Sequence, residues 1–329
     1  MSDKFEKLLH QIQRQASPFV REEIAKILSN LSKPKTGSEY KFDINELEKS
    51  GCQKLQNPLS PEEVEEISTF FSTVDGYSAH VCARSDGIAR NLSNGAMDYQ
   101  YLSFPLATIR QCPHISKILS NKTMHAVAKS YLGQNPILYS INTFWNFPNP
   151  RVARKGGAIL QKEYDGVQTW HRDKDDFKFL AFFIFLTDTS EGDGSHLFVE
   201  SSHRSNWINA ALNQIFKVNR SKLKFSGSFS EQELINQIGN LLVVGSNLSD
   251  DLLKAGGAKI REISGKAGDF FVEDTFGIHK GVLCKRPRLM MWIRLGLYEN
   301  IAFAADHFDT SSSVRKRYFE DIHGLESVI

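Results

Sequence analysis

The sequence predicts an α+β fold that is mainly β, with helices in its N-terminal part and an antiparallel core that a helical insertion interrupts. Three observations predict this fold. Apolar residues recur at helical spacing in residues 4–32. From residue 137 onward, short runs rich in β-branched and aromatic residues alternate with turn residues. The 329 residues are 41% hydrophobic and 24% charged, which is typical of a chain that folds around a core.

The N-terminal region is expected to be helical. Its first apolar residues share the spacing i, i+3, i+4 and i+7 of one helix face: Phe5, Leu8, Leu9 and Ile12. We expect Pro18 to break this helix and a second helix to run over residues 22–31. Residues 33–40 are polar and contain Pro and Gly, so they are predicted to be a linker. The sequence thus divides into a helical segment with a linker, 1–40, and one domain, 41–329.

Two more helices are expected before the strands. Ser60-Pro61-Glu62-Glu63 combines an N-cap serine, a proline in the first helical position and the glutamate of a capping box. Another helix is predicted over residues 114–132, with Gly133 after its last turn.

Six strands are predicted from residue 137 onward, and together they form a β-core over about residues 137–298. They share apolar, β-branched or aromatic composition, and they cover residues 137–145, 179–187, 196–199, 259–263, 269–272 and 289–298. Residues 206–257 interrupt the series with helical and loop character, which is long for a connection in a compact domain.

Charge, cysteine content and hydropathy exclude several classes of protein. Lys+Arg 40 and Asp+Glu 38 give a net charge of +2, which argues against a nucleic-acid binder. The four cysteines are dispersed and form no C-x-x-C pair, so a zinc ribbon or a disulfide scaffold is not expected. No secretory leader and no membrane span is predicted, and we expect a cytoplasmic protein.

The strongest chemical signal is the run Trp170-His171-Arg172-Asp173. In an extended segment, residues i and i+2 point to the same side, so His171 and Asp173 can present an imidazole and a carboxylate to one point. His279 follows a later strand and is the candidate for a third ligand. Two histidines and one carboxylate on one face of a metal are typical of non-haem Fe(II) oxygenases.

The residues around this motif resemble the phytanoyl-CoA dioxygenase family of Fe(II)/2-oxoglutarate oxygenases. The resemblance rests on the H-x-D motif, an apolar strand that leads to Ser202-His203-Arg204, the pair Gly268-Asp269 before a short apolar strand, His279-Lys280-Gly281 and a following Arg288. It covers about residues 137–298. It implies that the core is a double-stranded β-helix, a jelly roll of the cupin type.

The resemblance also implies the cofactors. Fe(II) would be bound by His171, Asp173 and His279, with 2-oxoglutarate and O2 as cosubstrates. The implied reaction is hydroxylation of a C–H bond in a small-molecule metabolite, with release of succinate and CO2.

The resemblance assigns Arg288 to the distal carboxylate of 2-oxoglutarate, which a planar guanidinium can hold with two hydrogen bonds. Since the spacing from the second histidine to this arginine is shorter here than in many family members, Arg286 and Arg294 are rivals for the same role. Asn142 and Thr143, on the first core strand, are weaker candidates for contacts with the cosubstrate.

Substrate contacts and the class of reaction are less constrained by the sequence. Gln168 and Trp145 are candidates for contacts with substrate, and residues 206–257 are predicted to be a lid because they fall between the ligand segments. The same iron centre could instead carry out desaturation, epimerisation or ring formation. The chain could also be a non-catalytic cupin-like metal-binding or sensor protein, or a hydroxylase that acts on a macromolecule. The sequence leaves substrate identity and oligomeric state open.

Overall fold

The computed structural model describes residues 11–13, 15–30, 42–77, 89–98, 101–148, 168–221, 231–242 and 248–297. The described α-helices are α1 (Pro18–Asn30), α2 (Ile44–Ser50), α3 (Pro61–Thr73), α4 (Leu106–Ile109), α5 (Ile115–Leu119), α6 (Lys122–Leu132), α7 (Ser205–Ser221), α8 (Glu231–Leu242) and α9 (Asp250–Ala255). None of these helices has the length and apolar character needed to cross a membrane.

The described strands form two antiparallel sheets. They are β1 (Cys52–Leu55), β2 (Gly76–Tyr77), β3 (Ala89–Arg90), β4 (Tyr101–Ser103), β5 (Ile137–Asn146), β6 (Phe179–Phe185), β7 (His196–Val199), β8 (Ile260–Ile263), β9 (Phe270–Glu273), β10 (His279–Gly281) and β11 (Arg288–Gly296). The main sheet has the order β1-β9-β6-β11-β5-β4-β2-β3, and the small sheet has the order β10-β7-β8.

From β5 onward the strands are divided between the two sheets. β5, β6, β9 and β11 are in the main sheet, whereas β7, β8 and β10 are in the small one. A bridge between His171 and His279 adds the H-x-D segment to the small sheet beside β10. Eight extended segments therefore wind as two antiparallel sheets packed face to face, which is the jelly-roll arrangement. The predicted fold class is confirmed.

The two faces of the main sheet pack against different parts of the chain. On β11, Leu289, Met291 and Ile293 face the helices, while Met290 and Trp292 face the small sheet, as the alternation of side chains along a strand requires. The helix-side core is completed by apolar residues of α3 and α6, including Ile67, Phe71, Val127 and Leu132.

Two of the predicted helix boundaries are confirmed. The side chain of Ser60 accepts a hydrogen bond from the backbone N–H of Glu63, whose own side chain accepts from the backbone N–H of Ser60, so the capping box begins α3. Gly133 follows α6 with a φ of 76°, a left-handed conformation that glycine adopts without steric cost.

Two further helix predictions are wrong in detail. Residues 11–13 and 15 are helical and α1 begins at Pro18, so the predicted break is confirmed, but the second helix begins at residue 18 and not at 22, since proline fits the first turn, where its missing N–H is not needed. The helix predicted over 114–132 is two helices, α5 and α6. Asn121 lies between them and is the N-cap of α6, where its side chain accepts a hydrogen bond from the backbone N–H of Met124. Residues 1–10 and 33–40 lie outside the described residues, so the expectations for them stay predictions.

The predicted strands are confirmed to within two residues at their ends. Strand β6 ends at Phe185, two residues earlier than predicted. At Thr187 the side-chain hydroxyl, not the backbone carbonyl, accepts the hydrogen bond from the backbone N–H of Leu289. Strands β1 to β4 and β10 were not predicted. They have two to four residues each, too few for a periodic pattern, and they exist through their pairing with longer strands.

The insertion predicted over residues 206–257 contains α7, α8 and α9. These helices share a third apolar core with residues in or next to the small sheet, namely Trp170, Val199 and Ile278. The insertion therefore packs beside the H-x-D segment, and its role as a lid stays a prediction.

Candidate metal centre and barrel interior

The structure brings His171, Asp173 and His279 together. The backbone N–H groups of His171 and His279 each donate to the other residue's carbonyl at 3.0 Å, and the N–H of Asp173 donates to the carbonyl of Thr275 at 2.9 Å. These bonds hold the two ligand segments side by side. One potential ligand atom from each of the three side chains lies within 4.8 Å of the others.

Hydrogen bonds orient both imidazoles for metal binding. Nδ1 of His171 lies 2.7 Å from the carbonyl of Thr169, and Nδ1 of His279 lies 2.9 Å from the carbonyl of Gly277. A carbonyl oxygen only accepts, so each Nδ1 carries the proton and each Nε2 keeps its lone pair. Each Nε2 is 3.9 Å from a carboxylate oxygen of Asp173. Two neutral imidazole nitrogens and one carboxylate on one side fit a divalent first-row metal.

Burial and neighbouring charges support the protonation states that a metal needs. Burial lowers the pKa of both His171 and His279, which keeps the rings neutral. Burial by itself would raise the pKa of Asp173, but Arg294 and the two histidines lower it to about 2. The site thus holds an ionised carboxylate between neutral imidazoles, which is the state in which these groups bind metals.

Arg288 lies in the interior of the barrel at the first position of β11. Its guanidinium is buried and donates to the carbonyl of Gly194 and to the side-chain oxygen of Asn146. Its Nε has no hydrogen-bond partner among the described residues. Gly194 has a φ of +73°, and a Cβ there would meet Cδ of Arg288 at 3.0 Å. The glycine therefore lets the arginine side chain lie directly on the backbone that leads into β7.

The two rival arginines occupy different surroundings. Nη2 of Arg294 lies 2.9 Å from Oδ2 of Asp173, and its other terminal nitrogen contacts Asp175. This places Arg294 beside the metal ligands, although it shares the interior face with Arg288. The side chain of Arg286 is exposed, with Nε 2.9 Å from Asp193. Arg288 is therefore the buried arginine of the three that stands apart from the metal ligands.

The remaining candidates on β5 lie on opposite faces of the sheet, because side chains alternate along a strand. Asn142 pairs with Trp292 and faces the interior, where its side-chain oxygen accepts from Oγ of Ser103 at 2.8 Å. Thr143 pairs with Met291 and faces the helices instead.

Trp145 is likewise on the helix side of β5. Its Nε1 donates to the backbone carbonyl of Phe71 at 3.1 Å, and its ring belongs to the helix-side core. The proposals that Thr143 contacts the cosubstrate and that Trp145 contacts substrate are corrected by these positions. Gln168 is half-buried, three residues before the first metal-binding histidine, and its role stays a prediction.

Two buried residues beside the metal centre were missed by the sequence reasoning. The ring of His196 stacks on that of His279 with centroids 5.3 Å apart and an interplanar angle of 17°, and its Nε2 lies 2.8 Å from Oε2 of Glu273. Burial and the charge of Arg288 lower the pKa of His196 to about 3, and burial raises that of Glu273. Alternation within His196-Leu197-Phe198-Val199 was a usable signal, since it places His196 and Phe198 on one face.

Arg21 of α1 was also missed. Its guanidinium is buried, donates to the backbone carbonyl of Asp176, and lies 4.3 Å from the ring centre of Phe276. Arg172 approaches the same ring at 5.0 Å. Since Asp176 follows the H-x-D motif and Phe276 precedes His279, the N-terminal helix packs on both segments that carry the candidate ligands.

Comparisons with known proteins give structural neighbours. No protein-family model matches the sequence, and no curated protein matches it. The epimerase SnoN in complex with Fe3+, alpha ketoglutarate and nogalamycin RO is 14% identical, with a TM-score of 0.44, over 77% of this chain and 81% of that one. HygX from Streptomyces hygroscopicus with nickel, 2-oxoglutarate and hygromycin B bound is 13% identical, with a TM-score of 0.45, over 77% and 86%.

A third neighbour is EvdO2 from Micromonospora carbonacea var. aurantiaca complexed with 2-oxoglutarate, at 12% identity and a TM-score of 0.43, over 79% of this chain and 92% of that one. At these levels of similarity the neighbours carry no weight in assigning a function. The function is therefore inferred from the residues of the site itself.

Proposed function

We propose that this chain is an Fe(II)- and 2-oxoglutarate-dependent oxygenase, similar to the phytanoyl-CoA dioxygenase family, that hydroxylates a C–H bond of a small molecule. One observation carries the proposal: the Nε2 atoms of His171 and His279 and the carboxylate of Asp173 converge inside a jelly roll that also buries Arg288. Two neutral imidazoles with one carboxylate are the ligand set of non-haem Fe(II) oxygenases.

The residues of this chain have distinct roles in the proposal. His171, Asp173 and His279 would hold Fe(II), and Arg288 would bind the distal carboxylate of 2-oxoglutarate through charge-assisted hydrogen bonds. Bound iron, with 2-oxoglutarate and O2, supplies the oxidising chemistry that attacks a C–H bond and yields succinate and CO2.

The aromatic lining of the interior serves the same chemistry. Phe144, Phe183 and Phe271 are buried on the interior face, where they exclude water. They present no hydroxyl or thiol to an oxidant.

The helical insertion is proposed as a cover for the site. Trp170, the residue before the first ligand, lies in the core of the insertion helices, and its Nε1 donates to the side chain of Asp250 at the start of α9. The ammonium of Lys280, the residue after His279, lies 4.5 Å from the centre of the Trp170 ring. Movement of α9 would therefore act on residues adjacent to two metal ligands.

The proposal is tested by reconstituting the protein with Fe(II) under anaerobic conditions, measuring binding of 2-oxoglutarate and then measuring succinate after O2 is admitted. We expect 2-oxoglutarate binding that depends on the metal, and succinate formation that His171→Ala abolishes. His125→Ala, which removes a histidine from α6 on the far side of the main sheet, is the matched control and should keep both.

Two outcomes would overturn the proposal. Metal-dependent succinate formation by His171→Ala at the wild-type rate would show that the ligands are misassigned. A wild-type protein that binds Fe(II) but neither binds 2-oxoglutarate nor consumes O2 would instead be the non-catalytic metal-binding protein. Mass analysis of the product of an accepted substrate distinguishes hydroxylation, which adds one oxygen atom, from desaturation, which removes two hydrogen atoms.

A further inference from the structure

Residues 274–278 connect β9 to β10 and lead directly to His279, and we call this segment the ligand turn. Its backbone carbonyl groups contact two of the three candidate metal ligands. The carbonyl of Thr275 accepts from the backbone N–H of Asp173 at 2.9 Å, and the carbonyl of Gly277 lies 2.9 Å from Nδ1 of His279. The conformation of the ligand turn therefore sets where Asp173 and His279 lie relative to each other.

The conformation of the ligand turn depends on hydrogen bonds made by Asp274. Its Oδ1 accepts from the backbone N–H of Phe276 at 3.0 Å, and its carbonyl accepts from the N–H of Gly277 at 2.8 Å. Its own backbone N–H donates to the carbonyl of Gly51 at 2.9 Å. An aspartate that accepts from the backbone two residues further on stabilises a turn. Asp274 thus closes the turn at its first residue and joins it to the chain that leads into β1.

The second carboxylate oxygen of Asp274 is held from outside the ligand turn. Its Oδ2 accepts from the hydroxyl of Tyr131 in α6 at 2.5 Å, and both residues are buried. The tyrosine is itself held, because its backbone carbonyl accepts from the ammonium of Lys178, which lies 4.2 Å from the centre of the tyrosine ring. Hydrogen bonds to a charged group are stronger than those between neutral groups, so the two contacts leave the carboxylate in one orientation.

We propose that Asp274 is a positioning residue of the metal centre: it holds the ligand turn in the conformation that places Asp173 and His279, and the hydroxyl of Tyr131 fixes its carboxylate. This inference rests on the proposed function, since it takes Asp173 and His279 as ligands of the metal. Asp274 itself touches neither metal nor substrate, because its carboxylate oxygens are bonded to Phe276 and Tyr131. The affinity and the coordination geometry of the metal then depend on a residue that is not a ligand.

The experiment compares variants of the full chain loaded with Ni(II) or Co(II), which bind the same donor atoms as Fe(II). Calorimetry gives the Kd of Ni(II), and the absorption spectrum of the Co(II) protein reports the coordination geometry. Asp274→Ala should raise the Kd of Ni(II) roughly ten- to a hundredfold, the range for loss of a residue that orients metal ligands, and should shift the Co(II) bands.

Asp274→Asn is the conservative variant and should restore both readouts to nearly the wild-type values. Its amide oxygen can still accept from the backbone N–H of Phe276, and its amide N–H can donate to the hydroxyl of Tyr131. The variant keeps the hydrogen bonds and removes the charge. It therefore separates the geometry of the ligand turn from the electrostatic effect of a carboxylate near the metal.

Tyr131→Phe tests the outer contact by removing a single oxygen atom. It should raise the Kd of Ni(II) roughly two- to tenfold, the range that corresponds to one hydrogen bond. It should add nothing further to Asp274→Ala in the double variant, because the two residues act through the same bond. Tyr131→Phe also provides the test if Asp274→Ala does not fold.

Two control variants separate positioning from a general loss of stability. Met291→Ala opens a cavity in the helix-side core, and Trp145→Phe removes one buried hydrogen bond on the same side, from Nε1 to the carbonyl of Phe71. Both should lower the free energy of unfolding and leave the Kd of Ni(II) and the Co(II) spectrum unchanged.

The possible failures are distinguishable. Wild-type Ni(II) affinity in Asp274→Ala, or in Tyr131→Phe where only that variant folds, overturns the inference and leaves the proposed function standing. A loss in Asp274→Asn as large as in Asp274→Ala also overturns it, because the charge would then matter and not the hydrogen bonds. Equal losses in Met291→Ala and Asp274→Ala overturn it as well, since the effect would be general. A wild-type protein that binds neither Ni(II) nor Co(II) overturns the proposed function itself.

Discussion

The two faces of the main sheet are built from the same strands and serve different purposes. The helix-side face is apolar, with Leu289, Met291 and Ile293 of β11 packed under the helices. The interior face of the same strand carries Arg288 and Arg294, both buried. Alternation along a strand lets one segment supply a stabilising core on one side and a chemical site on the other.

The difference between the two faces shows that the interior face carries buried polar groups that lower the stability of the fold and are suited to binding. The interior face buries His196 and Glu273, whose facing atoms lack hydrogen bonds of normal geometry among the described residues. Such groups are costly unless a ligand meets them. Substitutions on the interior face should therefore change metal or cosubstrate binding, and substitutions on the helix side should change the free energy of unfolding.

The largest effect is expected at the metal centre. Asp173→Ala removes the carboxylate that lies 3.9 Å from both Nε2 atoms, and should raise the Kd of Fe(II) or Ni(II) by at least roughly a hundredfold, more than the loss of an outer contact. Asp188→Ala, which removes an exposed carboxylate paired with Lys266, is the control. Unchanged metal affinity in Asp173→Ala, measured by calorimetry on the apo protein, would exclude this residue as a ligand.

Substitution of the two buried arginines of β11 should have different effects, one on the binding of 2-oxoglutarate and the other on the binding of the metal. Arg288→Ala should weaken 2-oxoglutarate binding by about 2–5 kcal/mol, the range for truncating one partner of a buried charge pair, and leave metal affinity intact. Arg294→Ala should weaken metal binding, because Arg294 contacts Asp173 at 2.9 Å. Titrations of both variants with Ni(II) and with 2-oxoglutarate measure the two affinities separately. The reverse pattern would show that Arg294, and not Arg288, binds the distal carboxylate of 2-oxoglutarate.

On the helix side, Met291→Ala should lower the free energy of unfolding by about 2–5 kcal/mol through lost burial and a cavity. Met291 has no exposed surface and lies between β5 and β6 in the helix-side core. Urea unfolding measures the loss, and calorimetry should show unchanged affinities for Ni(II) and 2-oxoglutarate. A large loss of affinity in a folded Met291→Ala protein would contradict the separation of the two faces.

The smallest effect is expected at Trp145. Trp145→Phe removes the hydrogen bond from Nε1 to the carbonyl of Phe71, which contributes about 1 kcal/mol. Turnover of 2-oxoglutarate should stay at the wild-type rate. A change in substrate KM or in the ratio of product to succinate, with the free energy of unfolding unaltered, would show that Trp145 contacts the substrate after all.

Local patterns predicted much of the fold. The capping box at Ser60 and the long strands β5, β6 and β11 follow from residue types within a few positions of one another. The error at Trp145 arose because residue composition identifies a strand without stating which of its faces is turned to the site. Asn142 and Trp145 lie on opposite faces, and the register with β11 decides which face is interior.

The sequence by itself predicted the six long or apolar strands of the core in their order and the common side of His171 and Asp173, because both follow from residue types and spacing within short segments. Only the tertiary structure decided that His279 lies against His171, that Arg21 of the N-terminal helix reaches the ligand segments, and that His196 stands beside Glu273. These contacts join residues far apart in the chain. Their partners are chosen by sheet pairing and packing, which no local pattern encodes.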